Sequence, residues 1–117
     1  MRYNKYGNKK TEIDGIKFDS KAEANRYLEL SMLVKYKKIK DLVLQPAFEL
    51  QPSFKKDGRT IRAIKYYADF AYYDMGLDEY IVEDVKASLT FKTEVYKIKK
   101  KMFEYTHPNI KITEVYG

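Results

Sequence analysis

Tyr67-Ala68-Asp69-Phe70-Ala71-Tyr72-Tyr73-Asp74, then Met75-Gly76-Leu77-Asp78, then Glu79-Tyr80-Ile81-Val82-Glu83-Asp84-Val85-Lys86 is the stretch that decides the fold. Aromatic and β-branched residues fill both arms, and residues 75–78 hold a turn between them. With those four residues as the loop, Asp74 opposes Glu79, and reflection about the turn sets Asp69 directly across from Asp84. Side chains alternate along a strand, so Lys86 points to the same side as Asp84. Two carboxylates and an ammonium then share one face of an antiparallel pair.

Opposed aspartates have Cβ atoms about 5 Å apart and repel when both are ionised. Either one acid holds a proton, as in a carboxylate dyad, or a divalent cation lies between them. Lys86 adds positive charge, and the set suits attack on a phosphodiester, where metal and lysine stabilise the charge of the transition state. In that chemistry Lys86 orients or helps deprotonate the attacking water. The same three residues would also make an ordinary cross-strand salt-bridge set on a wet face. Tyr67, Ala71 and Val82 are expected on their face, which places the charges in a largely buried layer where unpaired charge is costly.

Upstream, Asp57-Gly58 is a two-residue hairpin signal between strands expected at 47–54 and 60–74. Reflection pairs Phe54 with Ile61, Pro52 with Ala63, Leu50 with Lys65 and Phe48 with Tyr67, a mostly apolar face expected on the core, with Asp69 continuing it. Nearer the N-terminus, Asp14-Gly15 supplies a tight turn between residues 11–13 and 16–18. Ser20 then stands as a helix N-cap with Glu23 at capping-box spacing, and a helix is expected from about Lys21 towards Tyr36. Its apolar stripe is Ala24, Tyr27, Leu30, Leu33 and Val34, so Glu23 borders the buried face. Glu23 either closes the capping box or serves a site.

Downstream, Phe91, Val95, Ile98, Met102 and Tyr105 recur at helical spacing and predict a second amphipathic helix ended by Pro108. Ile110, Ile112 and Val115 predict a terminal strand. Residues 1–10 are polar, basic and aperiodic, an expected extended arm preceding one domain over 11–117.

The chain has 117 residues, no cysteine and one histidine, His107, which excludes disulfides and Cys- or His-rich zinc centres. A catalytic metal would have to sit on carboxylates, whose hard oxygens favour Mg²⁺, with Mn²⁺ as the alternative. The formal charge of +6 favours a polyanionic partner. Candidate phosphate contacts are Lys9 and Lys10 in the arm, Lys55, Lys56, Arg59 and Arg62 around the hairpin, and Lys97, Lys100 and Lys101 on the second helix. No run resembles a signal peptide or a membrane span, so a cytoplasmic location without membrane contact is expected.

Glu23 on a first helix, Asp69 in Tyr-Ala-Asp-Phe, and Asp84-Val85-Lys86 together resemble the PD-(D/E)xK nuclease superfamily. The likeness to its small phage-encoded branch, similar to archaeal-type Holliday junction resolvases, runs through Lys5-Tyr6-Gly7, Phe18-Asp19-Ser20-Lys21-Ala22-Glu23, Leu44-Gln45-Pro46, Phe48-Glu49-Leu50-Gln51-Pro52 and Val82-Glu83-Asp84-Val85-Lys86. The resemblance implies an α/β fold with a restriction-endonuclease-like core, a central mixed but mostly antiparallel sheet flanked by two helices. It implies that Asp69, Asp84 and the Val85 carbonyl hold Mg²⁺, that Glu23 completes the metal shell, and that Lys86 is the catalytic lysine. Ala68 stands where the motif carries proline. Glu83 is a competing inward acid, although only Asp84 keeps the acid-x-lysine spacing. The implied activity is a structure-selective endonuclease on branched DNA in phage replication or recombination, working as a homodimer. A non-catalytic nucleic-acid-binding module and an interaction protein of a phage replication complex are the alternatives.

Overall fold

The computed structural model describes residues 10–86 and 92–117; Lys9, most of the basic arm and Phe91 lie outside the described residues. The elements run β1 (Thr11–Ile13), β2 (Ile16–Phe18), α1 (Lys21–Lys35), β3 (Ile39–Leu44), β4 (Ala47–Gln51), β5 (Phe54–Lys56), β6 (Arg59–Ile61), β7 (Ile64–Tyr67), β8 (Phe70–Asp74), β9 (Glu79–Lys86), α2 (Glu94–Thr106) and β10 (Ile112–Tyr116). The class is α/β. A mixed four-stranded sheet in the order β10-β9-β8-β3 carries the site, and β1-β2, β4-β7 and β5-β6 form separate two-stranded pieces. The expected central sheet is therefore smaller than its strand count suggests. Within that sheet β10 runs parallel to β9, and the other pairs are antiparallel.

Both short turns take the conformations that their Asp-Gly pairs allow: Asp14, Gly15, Asp57 and Gly58 all have φ between 53° and 76°. The reflections about 14–15 and 57–58 hold locally, with Ile13 opposite Ile16 and Phe54 opposite Ile61. The longer one fails. Phe48 opposes Tyr66 rather than Tyr67, and the register shifts between Glu49 and Gln51, so Leu50 does not face Lys65. The expected strand over 60–74 is broken into β6, β7 and β8. Phe54, Ile61 and Tyr67 are exposed, whereas Leu50, Tyr66 and Ala68 are buried. A one-residue slip exchanges the two faces of a strand, and here the bulge at Leu50 makes that exchange.

A second bend lies at Gln45-Pro46, opposite Ala68-Asp69. Gln45 adopts φ 50° and donates its N–H to the Asp69 carbonyl, while the Pro46 carbonyl accepts from Ala68 N–H. Proline cannot donate to the ladder, and the strained Gln45 backbone turns the strand. The bend carries β3-β8 into β4-β7 and brings Gln45 beside Asp69.

The two helices cover opposite faces of the mixed sheet. On one side α1 buries Ala24 and Leu30 against Phe18, Ile39, Phe70 and Tyr72. Val34, expected in that stripe, is exposed. On the other side, Phe103 of α2 packs with Leu50, Tyr66, Ala68, Ala71, Val82 and Ile112. Alternation along β9 sends Val82 to the α2 side and Val85 to the α1 side, as a sheet covered on both faces requires.

The orientation of α2 differs in part from expectation: Met102 packs against the core as expected, but the rest of the described stripe does not. Val95, Ile98 and Tyr105 are exposed, and Tyr96 and Phe103 face the sheet instead. Phe103 meets Phe48 edge-on at 4.9 Å and lies 5.8 Å from Tyr66, so aromatic contact outweighs the aliphatic stripe that its spacing suggests. Among the described residues no helix is long and apolar enough to cross a membrane.

Candidate active site

Ser20 caps α1 by accepting the Glu23 N–H at 3.1 Å, which fixes Glu23 in the first turn. Its carboxyl lines a pocket of about 160 Å³ with Gln45, Asp69, Lys17 and Phe18. Burial, then the charges of Asp69, Asp19 and Asp84, push the Glu23 carboxyl up to about 7, against a hydrogen bond from Gln45. Glu23 therefore stands both in the capped first turn of α1 and at the pocket beside Asp69 and Gln45.

Asp69 occupies the bend before β8. The β8-β9 register is the expected one, with Asp74 opposite Glu79, but it ends at Phe70 opposite Glu83. Asp69 N–H donates to the Glu83 carbonyl at 3.0 Å, and the Asp69 side chain accepts the Val85 N–H at 2.6 Å. A carboxylate replaces a backbone carbonyl at the end of the ladder, so the direct Asp69-Asp84 cross-strand pair does not form. The two acids still share one electrostatic environment. Burial pushes the Asp69 carboxyl up to about 6; the Val85 N–H and Lys86 lower it and the Asp84 charge raises it.

Asp84 and Lys86 meet on the α2 side of β9. Lys86 Nζ lies 2.7 Å from Asp84 Oδ1, and Tyr66 Oη donates to Asp84 Oδ2 at 2.6 Å. Tyr66 takes the place expected for Tyr67. Its phenol is raised beyond its ordinary range by burial and by Asp84, so it stays a donor. Lys86 also stands 3.2 Å from the centroid of the Tyr96 ring.

Glu83, the competing acid, faces α1. It is only 1% exposed, receives Arg26 Nε at 2.8 Å and a second Arg26 nitrogen at 2.6 Å, and accepts from Tyr72 Oη. That bidentate pair and Tyr72 engage Glu83 on the α1 side, whereas Asp84 is the acid that meets Lys86. No local pattern signals the Glu83-Arg26 partnership, because 57 residues separate its members.

Among the described residues no three carboxylate or imidazole groups already stand as a coordination shell. Asp69, Asp84 and Glu23 offer oxygen donors, the type a hard divalent cation prefers, and burial with neighbouring carboxylate charge holds Glu23 and Asp69 above the ordinary carboxylate range. Both folded values exceed the unfolded ones, 4.5 for Glu23 and 3.8 for Asp69, so their stabilising contribution is complete below those values and is lost as pH rises towards 7. Without divalent ions, the unfolding free energy is expected to drop by about 1–2 kcal/mol between pH 5.5 and 8. Millimolar Mg²⁺ should recover much of the loss at pH 8. Urea titrations at both pH values check this, and a rise in stability towards pH 8 would contradict it.

The basic candidates are distributed over the surface. Lys55, Lys56, Arg59 and Arg62 are exposed on the β5-β6 finger, and Lys10 and Lys101 are exposed as well. Lys97 pairs with Glu94 at 3.3 Å and Lys100 approaches Glu114 at 3.6 Å, so these two already have anionic neighbours.

The model of one protein family, described as Protein of unknown function (DUF1064), matches residues 3–116. No curated protein and no solved structure matches the chain.

Proposed function

The chain belongs to that family, whose description assigns no activity, and from the site itself we propose that it is a metal-dependent endodeoxyribonuclease of the PD-(D/E)xK type with a restriction-endonuclease-like core. The observation that carries this reading is the Asp84-Lys86 contact of 2.7 Å set beside two desolvated, mutually repelling acids. Such a group is costly in a core and useful at a phosphate.

Asp69, Asp84, Glu23 and the Val85 carbonyl would hold Mg²⁺ or Mn²⁺, and such a cation, when bound, supplies Lewis-acid stabilisation of charge on phosphoryl oxygens. Lys86 would present an ammonium to the same substrate charge and orient an attacking water by hydrogen bonding. Tyr66 holds one Asp84 oxygen, and Asp69 is held by the Val85 N–H, so both acids are oriented before substrate arrives. The β5-β6 finger supplies phosphate contacts that position DNA without reading its sequence. Replacing Lys55, Lys56, Arg59 and Arg62 with alanine should weaken DNA binding for every sequence alike. The log–log salt slope should fall by about 0.9 for each phosphate neutralisation removed, measured by fluorescence anisotropy across a salt series. An unchanged slope would remove the finger from the interface.

The resemblance to junction resolvases points to branched DNA as substrate, a homodimer as the working unit and the cytoplasm of a phage-infected cell as the place of action. Incubating the protein with a four-way junction, a linear duplex and a single strand in Mg²⁺ or Mn²⁺ tests it. The junction should be cut, and chelation should abolish cutting. No cleavage of any substrate in either metal would instead support a non-catalytic binding module. One observation favours that second reading: both Asp84 oxygens are already engaged, by Lys86 and Tyr66, as in a purely structural ion pair.

A further inference from the structure

The nuclease reading leaves Tyr96 and Glu114 without a role, although they stand directly behind Lys86. Thr93 caps α2 by accepting the Tyr96 N–H at 3.1 Å, which fixes where this tyrosine leaves the helix. Its ring faces Lys86 Nζ at 3.2 Å, and its hydroxyl donates to Glu114 Oε2 at 2.7 Å. Glu114 lies on β10 opposite Asp84 in the parallel register with β9. Its other oxygen receives Lys92 at 2.8 Å and the Tyr116 hydroxyl at 3.0 Å. Three elements, α2, β9 and β10, therefore converge on one lysine.

Resting on the nuclease reading, we infer that Tyr96 is a positioning residue, its ring seating the Lys86 ammonium at the candidate active site while Glu114 fixes the ring. A lysine side chain is a compact charge on a flexible four-carbon stem, and one carboxylate contact does not define its direction. A second carboxylate against Lys86 would add direction but cancel the charge needed at a phosphate. An aromatic face attracts the ammonium through its quadrupole and adds no negative charge, so Lys86 keeps its charge for the substrate. Glu114 is kept from that position by its own partners: Lys92, Lys100, Tyr96 and Tyr116 occupy its carboxylate. A tyrosine kept only for packing would affect stability and leave the chemical step alone.

The experiment combines junction cleavage in Mg²⁺ with NMR of the Lys86 ε-methylene, assigned by its disappearance in Lys86→Arg. Tyr96→Leu is expected to lower kcat roughly tenfold or more with KM within about twofold, whereas Tyr96→Phe, which keeps the ring, stays within about threefold of the parent. Glu114→Gln, whose amide oxygen can still accept the Tyr96 hydroxyl, should stay in the same range as Tyr96→Phe. The Lys86 methylene should show an upfield ring-current shift in the parent and in Tyr96→Phe that is absent from Tyr96→Leu. Should Tyr96→Leu not fold, Tyr96→Met, which has similar reach without a ring, replaces it. A folded ringless variant with parental kcat overturns the inference, as does a Lys86 methylene without ring-current shift in the parent. A parent that cuts no substrate overturns the nuclease reading instead, and with it the catalytic consequence of the seat.

Discussion

Arg26→Ala is expected to lower the free energy of unfolding by about 3–5 kcal/mol, the usual cost of removing one partner from a buried ion pair. For a 117-residue chain the total is of order 6–18 kcal/mol, so the loss is a large fraction. The geometry explains the size. The guanidinium fork meets both oxygens of Glu83, at 2.8 and 2.6 Å, and Glu83 is fully enclosed between α1 and the sheet. Alanine would leave that carboxylate with Tyr72 as its remaining side-chain donor. Arg26→Lys should recover only part of the loss, because an ammonium cannot reproduce the two-pronged contact. The neighbouring exposed pair of Arg26 with Glu29, at 3.3 Å, is an internal control: Glu29→Ala should cost no more than about 0.5 kcal/mol. Replacing both partners, Arg26→Met with Glu83→Leu, should restore most of the stability. Urea denaturation of the set at pH 7 reads all four outcomes. A loss below about 1 kcal/mol for Arg26→Ala would mean that Glu83 finds water or a proton at little cost.

The same pair marks the boundary of what the sequence conveys. Local signals translate directly into structure: Asp14-Gly15 and Asp57-Gly58 take left-handed turns, Ser20 caps α1, and residues 75–78 set Asp74 opposite Glu79. With β9 in that register, strand alternation is enough to put Asp84 and Lys86 on one face. What fails requires knowledge of the far side of the molecule. The β4-β7 register slips because Leu50 sits at a bulge, and a bulge there leaves no Gly or Asp-Gly signature. Gln45 bends the strand in a conformation that Gly or Asn usually signals, so the place where Asp69 leaves the ladder is unreadable from the sequence. The α2 stripe is rotated because periodicity counts apolar residues equally, whereas Tyr96 and Phe103 gain ring contacts and a Glu114 partner that Val95 and Ile98 cannot. Glu23 is legible as an acid beside a buried face. Its proximity to Asp69 depends on that Gln45 bend.

Asp84→Asn should reduce cleavage on the order of 10³-fold, in line with losses seen when a single charged group of a preorganised site is removed. Its effect on folding should have the opposite sign or none. The Asp84 charge raises both Glu23 and Asp69, so neutralising it relieves repulsion within a desolvated cluster. Asparagine keeps an oxygen to accept from the Tyr66 hydroxyl, and Lys86 keeps the Tyr96 ring after its carboxylate partner is gone. At pH 8 without divalent ions, the variant should therefore unfold at the same temperature as the parent or higher, the pattern of a site that trades stability for activity. Mg²⁺ separates the two proteins further: it should raise the parental melting temperature at pH 8 and do little for Asp84→Asn. Thermal melts with and without Mg²⁺, run beside the junction assay, distinguish a catalytic carboxylate from a structural one. If Asp84 serves only to pair with Lys86, the asparagine variant loses stability whether or not Mg²⁺ is present, and the parent gains nothing from the ion.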